Sequence, residues 1–169
     1  MPEVKKKILF VCMGNICRSP AAEGIAKKMI EKRGLDGTIE IDSAGTLDYH
    51  TGESPDERMI RHASKRGYRL DSRARQFNSK KDFEYFDYII TMDNDNFSEI
   101  TSLDKNNKYK DKIFKMVSFS TKLKVDEVPD PYYSSSNGFE YVLDILEDSV
   151  DGLLKKVEDD IRREDKIKN

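Results

Sequence analysis

Several features that mark large classes of protein are scarce or missing in this sequence. Only two of its 169 residues are cysteine, too few for a disulfide-stabilised scaffold. Neither sign of charge is in excess, since 30 basic residues face 32 acidic ones, and this balance argues against a nucleic-acid partner or a polybasic membrane anchor. No run of about 20 apolar residues occurs, so we expect neither a membrane-spanning helix nor a membrane partner.

The remaining composition is typical of a globular protein from a reducing compartment. Hydrophobic and charged residues each make up 37% of the chain. A chain of this length buries about 70% of the surface that its unfolded form exposes, so its core needs no covalent support. The apolar run from Ile8 to Cys12 is too short for a secretory signal. We therefore expect one domain over residues 1–169, located in the cytoplasm.

Short apolar runs give the first indication of secondary structure. Residues 7–12, 88–92 and, less cleanly, 113–117 are apolar without alternation. Such runs are typical of parallel strands that helices cover on both faces. Residues 38–43 alternate between apolar and polar side chains, which predicts an edge strand with one wetter face.

Longer segments with helical periodicity lie between these runs. One helix is predicted behind Ser19 as a candidate N-cap, with Pro20 at the first helical position. A shorter helix is predicted to start near Ser54, and the longest apolar stripe runs from Phe139 to Ile161. Alternating strands and helices predict an α/β fold, in which ligands bind at the carboxyl ends of the strands.

The turn after the first predicted strand is the main candidate site. Five residues separate Cys12 from Arg18 there, between a buried strand and a predicted helix. A short loop can point successive backbone N–H groups at one anion if a residue adopts a positive φ angle, which Gly14 and Asn15 tolerate. The helix N-terminus and the planar guanidinium of Arg18 add positive charge. The pattern predicts a phosphate-binding loop.

Cys12 stands at the head of this loop. A cysteine beside a helix N-terminus and an arginine ionises more readily than a free thiol, and a thiolate beneath a bound phosphate is a nucleophile. The hydroxyl of Ser19 could donate a hydrogen bond to the sulfur and improve it as a leaving group. The spacing Cys-x5-Arg is common by chance, so the surrounding strand, Gly-Asn pair and helix are what favour a functional site.

Five further motifs follow this loop in order along the chain. They are Ile41-Asp42-Ser43-Ala44-Gly45-Thr46, Ser54-Pro55-Asp56 with Arg58, Ala74-Arg75-Gln76, Phe86-Asp87-Tyr88-Ile89 with Met92-Asp93, and Asp130-Pro131-Tyr132-Tyr133. Together with residues 11–20, they resemble the low-molecular-weight protein tyrosine phosphatases over nearly the whole chain. The resemblance implies a three-layer α/β fold, with helices on both faces of a four-stranded parallel sheet in the flavodoxin-like order 2-1-3-4.

The resemblance also implies a reaction and its main residues. Aryl phosphate monoesters would be hydrolysed through a cysteinyl-phosphate, with Cys12 as nucleophile and Arg18 as phosphate clamp. Residues 128–133, here called the acid loop, read on their own as a turn because prolines flank Asp130. The resemblance assigns Asp130 the role of general acid and base, which protonates the departing phenol.

The remaining roles also come from the resemblance. The residues implied in substrate binding are Met13, Gly14, Asn15, Ile16, Cys17, Tyr49 and Tyr132, and those implied in supporting the loop are Ser19 and Ser43. The family implies no metal and no cofactor. Its substrates would be phosphotyrosine-containing proteins or small aryl phosphates, and the chain would be a monomer or a weak homodimer.

Three positions qualify the resemblance. Ser72 stands where many members carry a histidine, so local stability and pH behaviour do not carry over. Ile16 stands where the related protein-arginine phosphatases carry threonine, which favours phosphotyrosine. Cys17 has two interpretations of similar weight: a partner that traps oxidised Cys12 as a disulfide, or a small buried hydrophobic residue. His50 and His62 have no partners at metal-ligand spacing, so no role is expected for either.

Three alternatives compete with a tyrosine phosphatase. Arsenate reductases with this type of loop need further downstream cysteines, and none follows Cys17. Asp93-x-Asp95 after an apolar run suggests a magnesium-dependent haloacid-dehalogenase phosphatase, but Phe97 stands where that family has Thr or Val. A module that binds phosphotyrosine without cleaving it would be expected to lack the nucleophile or the acid, and both are present.

Overall fold

The computed structural model describes residues 3–168, and its centre is one parallel sheet. The strands are β1 (Lys6–Cys12), β2 (Ile39–Gly45), β3 (Tyr88–Thr91) and β4 (Ile113–Lys115). They lie in the order β2-β1-β3-β4, and every pairing is parallel. The predicted strand order is therefore confirmed, and β2 lies at an edge as its alternating pattern predicts.

In the described part of the chain, five α-helices connect and cover the strands. They are α1 (Arg18–Lys32), α2 (Glu57–Lys65), α3 (Asp82–Tyr85), α4 (Asn94–Leu103) and α5 (Ser136–Lys168). Three short 3-10 turns lie at Lys105–Asn107, Lys110–Lys112 and Met116–Phe119. Within residues 3–168, no helix is both long enough and apolar enough to cross a lipid bilayer.

The two faces of β1 bury side chains in two different hydrophobic cores. Ile8 and Phe10 belong to the larger core, which α1, α2 and α5 complete, whereas Leu9 and Val11 face the smaller core under α3 and α4. All four side chains are inaccessible to solvent. Helices therefore cover the sheet on both sides, which is why the apolar run of β1 shows no alternation.

Two helices begin at other residues than the sequence suggested: α1 begins earlier, and α2 begins later. α1 starts at Arg18 with Cys17 at the N-cap position, so Ser19 lies inside the helix and is not its cap. α2 starts at Glu57, because the Asp56 side chain accepts the backbone N–H of Arg58 and caps the helix there. A cap is fixed by which side chain reaches the free N–H groups, and several adjacent polar residues qualify in a sequence.

The fourth strand is shorter than its apolar run. The prediction covered residues 113–117, but β4 ends at Lys115 and the chain turns at once into the 3-10 segment Met116–Phe119. Ser118 supports this turn, because its hydroxyl donates to the carbonyl of Lys115 at 2.6 Å. The apolar run of residues 113–117 is therefore divided between a strand and the 3-10 turn that packs on α5.

Gly152 marks where α5 packs most closely on that turn. A Cβ atom at this position would lie 2.0 Å from the carbonyl oxygen of Phe119. Only a residue without a side chain therefore lets the helix approach the backbone so closely.

We expect Gly152→Ala to destabilise the protein by about 1–3 kcal/mol through overpacking. This loss should outweigh the gain of about 1 kcal/mol that alanine offers over glycine in a helix interior. Urea unfolding measures the difference. Lys155→Ala, on the exposed side of the same helix, is the control and should shift stability by less than about 0.5 kcal/mol. An unchanged or higher midpoint for Gly152→Ala would contradict this packing argument.

Candidate active site

The phosphate loop, residues 12–18, joins the end of β1 to the start of α1. Of the two residues expected to tolerate a positive φ, Asn15 adopts it, with φ 59°. Gly45, at the end of β2, lies against this loop, since a Cβ atom there would be 2.8 Å from the carbonyl oxygen of Met13. The neighbouring strand therefore approaches the loop so closely that a side chain at position 45 would disturb it.

Three carbonyl groups of the loop bond to segments outside it. The oxygens of Cys12, Met13 and Ile16 accept backbone N–H groups at 2.9, 3.0 and 2.8 Å from neighbouring segments. Across residues 3–168, no backbone N–H of residues 13–18 donates to a protein acceptor. The N-terminus of α1 also has no side-chain cap and no acidic residue in its first turn. These N–H groups are thus available to one anion.

Asn15 holds the loop in this form with its side chain. Its amide nitrogen donates to the hydroxyls of Ser19 at 2.8 Å and Ser43 at 2.9 Å. Its amide oxygen accepts the backbone N–H of Arg75 at 3.0 Å. Asn15 is 1% exposed, so these bonds fix the left-handed residue inside the protein, behind the loop and away from solvent.

The hydroxyl hydrogens can be assigned from these bonds. Ser19 accepts from Asn15, so its own hydrogen is free to point at the sulfur of Cys12, 3.0 Å from the hydroxyl oxygen. Ser43 also accepts from Asn15, and its hydroxyl donates to the Glu23 carboxylate at 2.6 Å. One connected network therefore runs from the thiol to a carboxylate that is 5% exposed.

Glu23 and Arg75 were not among the predicted site residues. Lys27, one turn further along α1, pairs with Glu23 at 2.6 Å and supplies the cation that a buried carboxylate requires. The guanidinium of Arg75 contacts Asp42 and Asp82, each at 3.0 Å, and so anchors the segment that meets Asn15. Apart from the Ala74-Arg75-Gln76 motif, the sequence does not indicate the ion pairs that Glu23 and Arg75 form.

Arg18 is buried at the base of the site and faces two carboxylates. One of its terminal nitrogens donates to Asp93 at 2.6 Å and to the carbonyl of Val128 at 3.0 Å, and the other lies 3.6 Å from the Asp130 carboxylate. Burial alone would lower the pKa of Arg18, but the charge of an ionised Cys12 and the bond to Asp93 raise it above its ordinary value. The guanidinium therefore stays charged.

Asp93 uses both carboxylate oxygens within the protein. One accepts from Arg18, and the other accepts the backbone N–H of Asn96 at 2.7 Å and caps α4. This explains the Asp93-x-Asp95 pattern as a helix cap joined to an ion pair, with no need for a haloacid-dehalogenase site. Across the described residues, 3–168, no three His, Cys, Asp or Glu side chains are grouped to hold a metal ion.

Asp130 reaches the same pocket from the acid loop. The backbone N–H of Val128 donates to Met92 at 2.8 Å, and this bond ties the start of the acid loop to the end of β3. One oxygen of Asp130 accepts the backbone N–H of Tyr132 at 3.1 Å, and the other faces Arg18. Two residues far apart in the chain, Cys12 and Asp130, therefore line one cavity.

The cavity has a volume of about 250 Å³ and is open at its mouth. It is lined by Cys12, Met13, Gly14, Ile16, Cys17, Arg18, Leu47, Tyr49, His50, Asp130, Tyr132 and Tyr133. Nine of these were predicted from the sequence, and Leu47, His50 and Tyr133 were not. Asn15, Ser19 and Ser43 lie behind the loop, so the Asn15 side chain supports the loop and does not line the pocket.

His50 forms part of the pocket wall, although it was not among the predicted site residues. Its ring lies 4.8 Å from that of Tyr49 and 6.4 Å from that of Tyr132, measured between centroids. The ring nitrogen Nδ1 contacts the Glu53 carboxylate, which fixes the ring orientation. Glu53 lies three residues after the histidine, and this spacing is the indication of their contact in the sequence.

Cys17 lies at the same pocket but differs from Cys12 in its surroundings. Both cysteines are free thiols. Burial, and after it the charge of Asp56, raises the pKa of Cys17 far above its ordinary value, so this residue stays protonated at neutral pH. The disulfide between the two cysteines stays a prediction.

A family model and the sequences of known proteins indicate the same relatives for this chain. A family model described as low molecular weight phosphotyrosine protein phosphatase matches residues 7–163. A Synechocystis sp. protein named as a low molecular weight protein-tyrosine-phosphatase is 50% identical over 148 residues, which are 88% of this chain and 94% of that one.

Solved structures of similar proteins have the same fold. A protein tyrosine phosphatase from Entamoeba histolytica, with Hepes in its active site, is 50% identical at a TM-score of 0.89, covering 92% of this chain and 98% of its own. A Drosophila arginine phosphatase is 30% identical at a TM-score of 0.82, covering 89% of this chain and 97% of its own.

Substitution of Asn15 separates the effect of its side-chain hydrogen bonds from the effect of its left-handed backbone conformation. Asn15→Gly retains the left-handed conformation and loses the side-chain bonds, so we expect weaker competitive inhibition by inorganic phosphate. Asn15→Ala loses the same bonds and adds backbone strain, so it should be less stable than Asn15→Gly by about 1 kcal/mol.

The matched control is Asn106→Ala, because Asn106 also has a positive φ, 65°, but lies in an exposed 3-10 turn. It should lose stability and keep the inhibition constant for phosphate. Unchanged phosphate inhibition in Asn15→Gly would show that the side-chain bonds do not shape the site.

Proposed function

Since this chain belongs to the low molecular weight phosphotyrosine protein phosphatase family, we propose a role for each of the main residues in its tyrosine phosphatase reaction. Cys12 is the nucleophile, Arg18 and the loop N–H groups bind the phosphate, and Asp130 is the general acid and base. The observation that carries this proposal is the single cavity in which the Cys12 thiol, the Arg18 guanidinium and the Asp130 carboxyl meet.

In the first step the Cys12 sulfur attacks phosphorus. The S–P bond forms while the bond from phosphorus to the aryl oxygen breaks, and Asp130 gives its proton to the departing phenolate. The side chain of Ser19 supports the attacking form, because its hydroxyl hydrogen is free to donate to the sulfur. The products of this step are a free phenol and a cysteinyl-phosphate.

In the second step water releases phosphate from Cys12. Asp130, now a carboxylate, takes a proton from the water as its oxygen bonds to phosphorus, and the S–P bond breaks. The hydrogen bond from Ser19 stabilises the thiolate that leaves. This returns Cys12 and Asp130 to their starting forms, and the net reaction is hydrolysis of one monoester.

The loop and Arg18 stabilise the charge of the transferring phosphoryl group in both steps. The unpaired N–H groups of residues 13–18 and the guanidinium are fixed before substrate arrives, so little reorganisation is needed. Arg18 is oriented by Asp93 and by the Val128 carbonyl. A phosphate in the loop would also cap the N-terminus of α1.

The pocket walls favour an aromatic substrate. Tyr49, which is 82% exposed, and Tyr132 flank the mouth, while Ile16 contributes an apolar surface from the loop itself. An aryl ring gains apolar and edge-to-face contacts between such side chains. We therefore infer phosphotyrosine-containing proteins or small aryl phosphates as substrates.

The roles of Cys12 and Asp130 are tested by substitution. Cys12→Ser should abolish turnover of phosphotyrosine and leave inorganic phosphate binding measurable. Asp130→Ala should lower kcat/KM by about 10²–10⁴-fold for phenyl phosphate, whose leaving group needs a proton. It should have a much smaller effect on 4-nitrophenyl phosphate, whose phenolate leaves unaided. Substantial turnover by Cys12→Ser, or an equal effect of Asp130→Ala on both substrates, would contradict the assignments.

Phosphoarginine is the second candidate substrate, because one structural relative is an arginine phosphatase. The apolar Ile16 at the pocket favours phosphotyrosine, so we expect wild type to hydrolyse phosphotyrosine peptides faster than phosphoarginine or phosphoserine peptides. Ile16→Thr should shift this ratio toward phosphoarginine, as measured by phosphate release with and without a chelator. Preference for phosphoarginine in the wild type would reverse the assignment.

A further inference from the structure

The N-terminus of α2 lies between the two loops of the active site. The backbone N–H of Asp56 donates to the carbonyl of Ile16 in the phosphate loop at 2.8 Å. The carboxylate of Asp56 binds the guanidinium of Arg58 with both oxygens, at 3.0 Å to Nε and 2.8 Å to Nη2. Asp56 therefore links Arg58 to the phosphate loop through a short, fixed path.

The guanidinium of Arg58 contacts the acid loop on its other side. It lies 5.4 Å from the ring centroid of Tyr132, two residues after Asp130, and 4.8 Å from that of Phe139 in the first turns of α5. Both distances are within the range of cation–π attraction. Phe139 is 1% exposed and belongs to the larger core, so Arg58 joins Tyr132 to the packed interior of the protein.

The ion pair restricts how Arg58 can move. A guanidinium held by two parallel bonds keeps its plane, and a planar cation stacks on aromatic rings in a defined orientation. The bond from Arg58 also keeps the pKa of the Asp56 carboxyl below its ordinary value, so the pair stays ionised through the neutral range.

Few hydrogen bonds fix the position of the acid loop. In the described chain, the hydrogen bonds of residues 129–134 are internal, from Tyr132 to Asp130 and from Ser134 to Pro131. The ion pair from Asp130 to Arg18, at 3.6 Å, involves the reacting group itself. The loop is thus anchored at Val128 before Asp130, and after Asp130 it is held by the buried Pro131 and by the packing of Arg58 on Tyr132.

From this arrangement we propose that Arg58 is a positioning residue for the general acid: by stacking on Tyr132, it holds the loop that places Asp130 over the phosphate loop. The proposal rests on the role given above to Asp130. In this role Arg58 touches neither the phosphoryl group nor the nucleophile. The motif Ser54-Pro55-Asp56 with Arg58 thereby has a function in the reaction besides starting a helix.

The test uses the acidity of the leaving group. Arg58→Met retains a long side chain against the two rings but loses the charge and the bonds to Asp56. We expect it to lower kcat/KM for phenyl phosphate by about 10–100-fold, since a small displacement of a catalytic group costs up to about 10²-fold. The kcat/KM for 4-nitrophenyl phosphate and the inhibition constant of phosphate should change less than about 3-fold, because these do not need the proton of Asp130.

Three further variants sharpen the test. Arg58→Lys retains a cation without the planar fork and should show an intermediate loss, and Arg58→Gln should behave as Arg58→Met. Arg69→Met is the control, since the Arg69 side chain is 89% exposed and, among residues 3–168, forms an ion pair only with Asp71. It should match wild type on both substrates. Urea unfolding of each variant shows that the fold is intact.

A double variant decides whether Arg58 acts through Asp130. In an Asp130→Ala background, adding Arg58→Met should lower phenyl phosphate turnover by less than about 2-fold, because the group that Arg58 positions is already missing. Independent losses that multiply would overturn the proposal. So would an equal loss on both substrates, or weaker phosphate inhibition, since either would indicate general damage to the pocket.

The same data separate this proposal from the proposed function. If Asp130→Ala affects phenyl phosphate selectively while Arg58→Met does not, only the role of Arg58 is wrong. If Asp130→Ala is itself unselective, the general-acid assignment fails and the role of Arg58 fails with it.

Discussion

A single residue in a left-handed conformation holds the phosphate loop open to an anion. Asn15, at φ 59°, turns the chain so that three loop carbonyls bond to neighbouring segments, and the loop N–H groups stay unpaired within residues 3–168. This conformation costs about 1–3 kcal/mol in a residue other than glycine. The bonds of the Asn15 side chain to Ser19, Ser43 and the backbone of Arg75 offset that cost. A glycine would reach the same φ without strain, but it would leave the loop free to relax.

The parallel sheet explains why residues so distant in sequence meet here. β1 and β3 are neighbours and run in the same direction, so their carboxyl ends bring Cys12 and Asp93 to one edge. Asp93 then orients Arg18, and the bond from Val128 to Met92 starts the acid loop from the same edge. Each part of the site is thus attached to a strand end or a helix start. Such attachment gives the positional accuracy on which phosphoryl transfer depends.

The sequence was informative wherever local pattern and chemistry coincide. The apolar run of β1, the Gly14-Asn15 pair and the spacing of Cys12 and Arg18 predicted the strand, the turn and the phosphate loop. Ser19 was misplaced as a helix cap, because its hydroxyl is already used between Asn15 and Cys12. The pairing of Glu23 with Ser43, like that of Arg18 with Asp93, could not be predicted, since each joins ordinary charged residues across a fold that brings them together.

The two carboxylates that face Arg18 have different surroundings. A buried guanidinium needs a permanent counter-charge, and Asp93 supplies it at 2.6 Å while its other oxygen is committed to the cap of α4. Asp130 lies further from Arg18, at 3.6 Å, and its side chain is 36% exposed. Asp130 is thus the more distant and more exposed of the two carboxylates around Arg18. The short bond from Arg18 to Asp93, whose other oxygen caps α4, therefore supports the acid and base role proposed for Asp130.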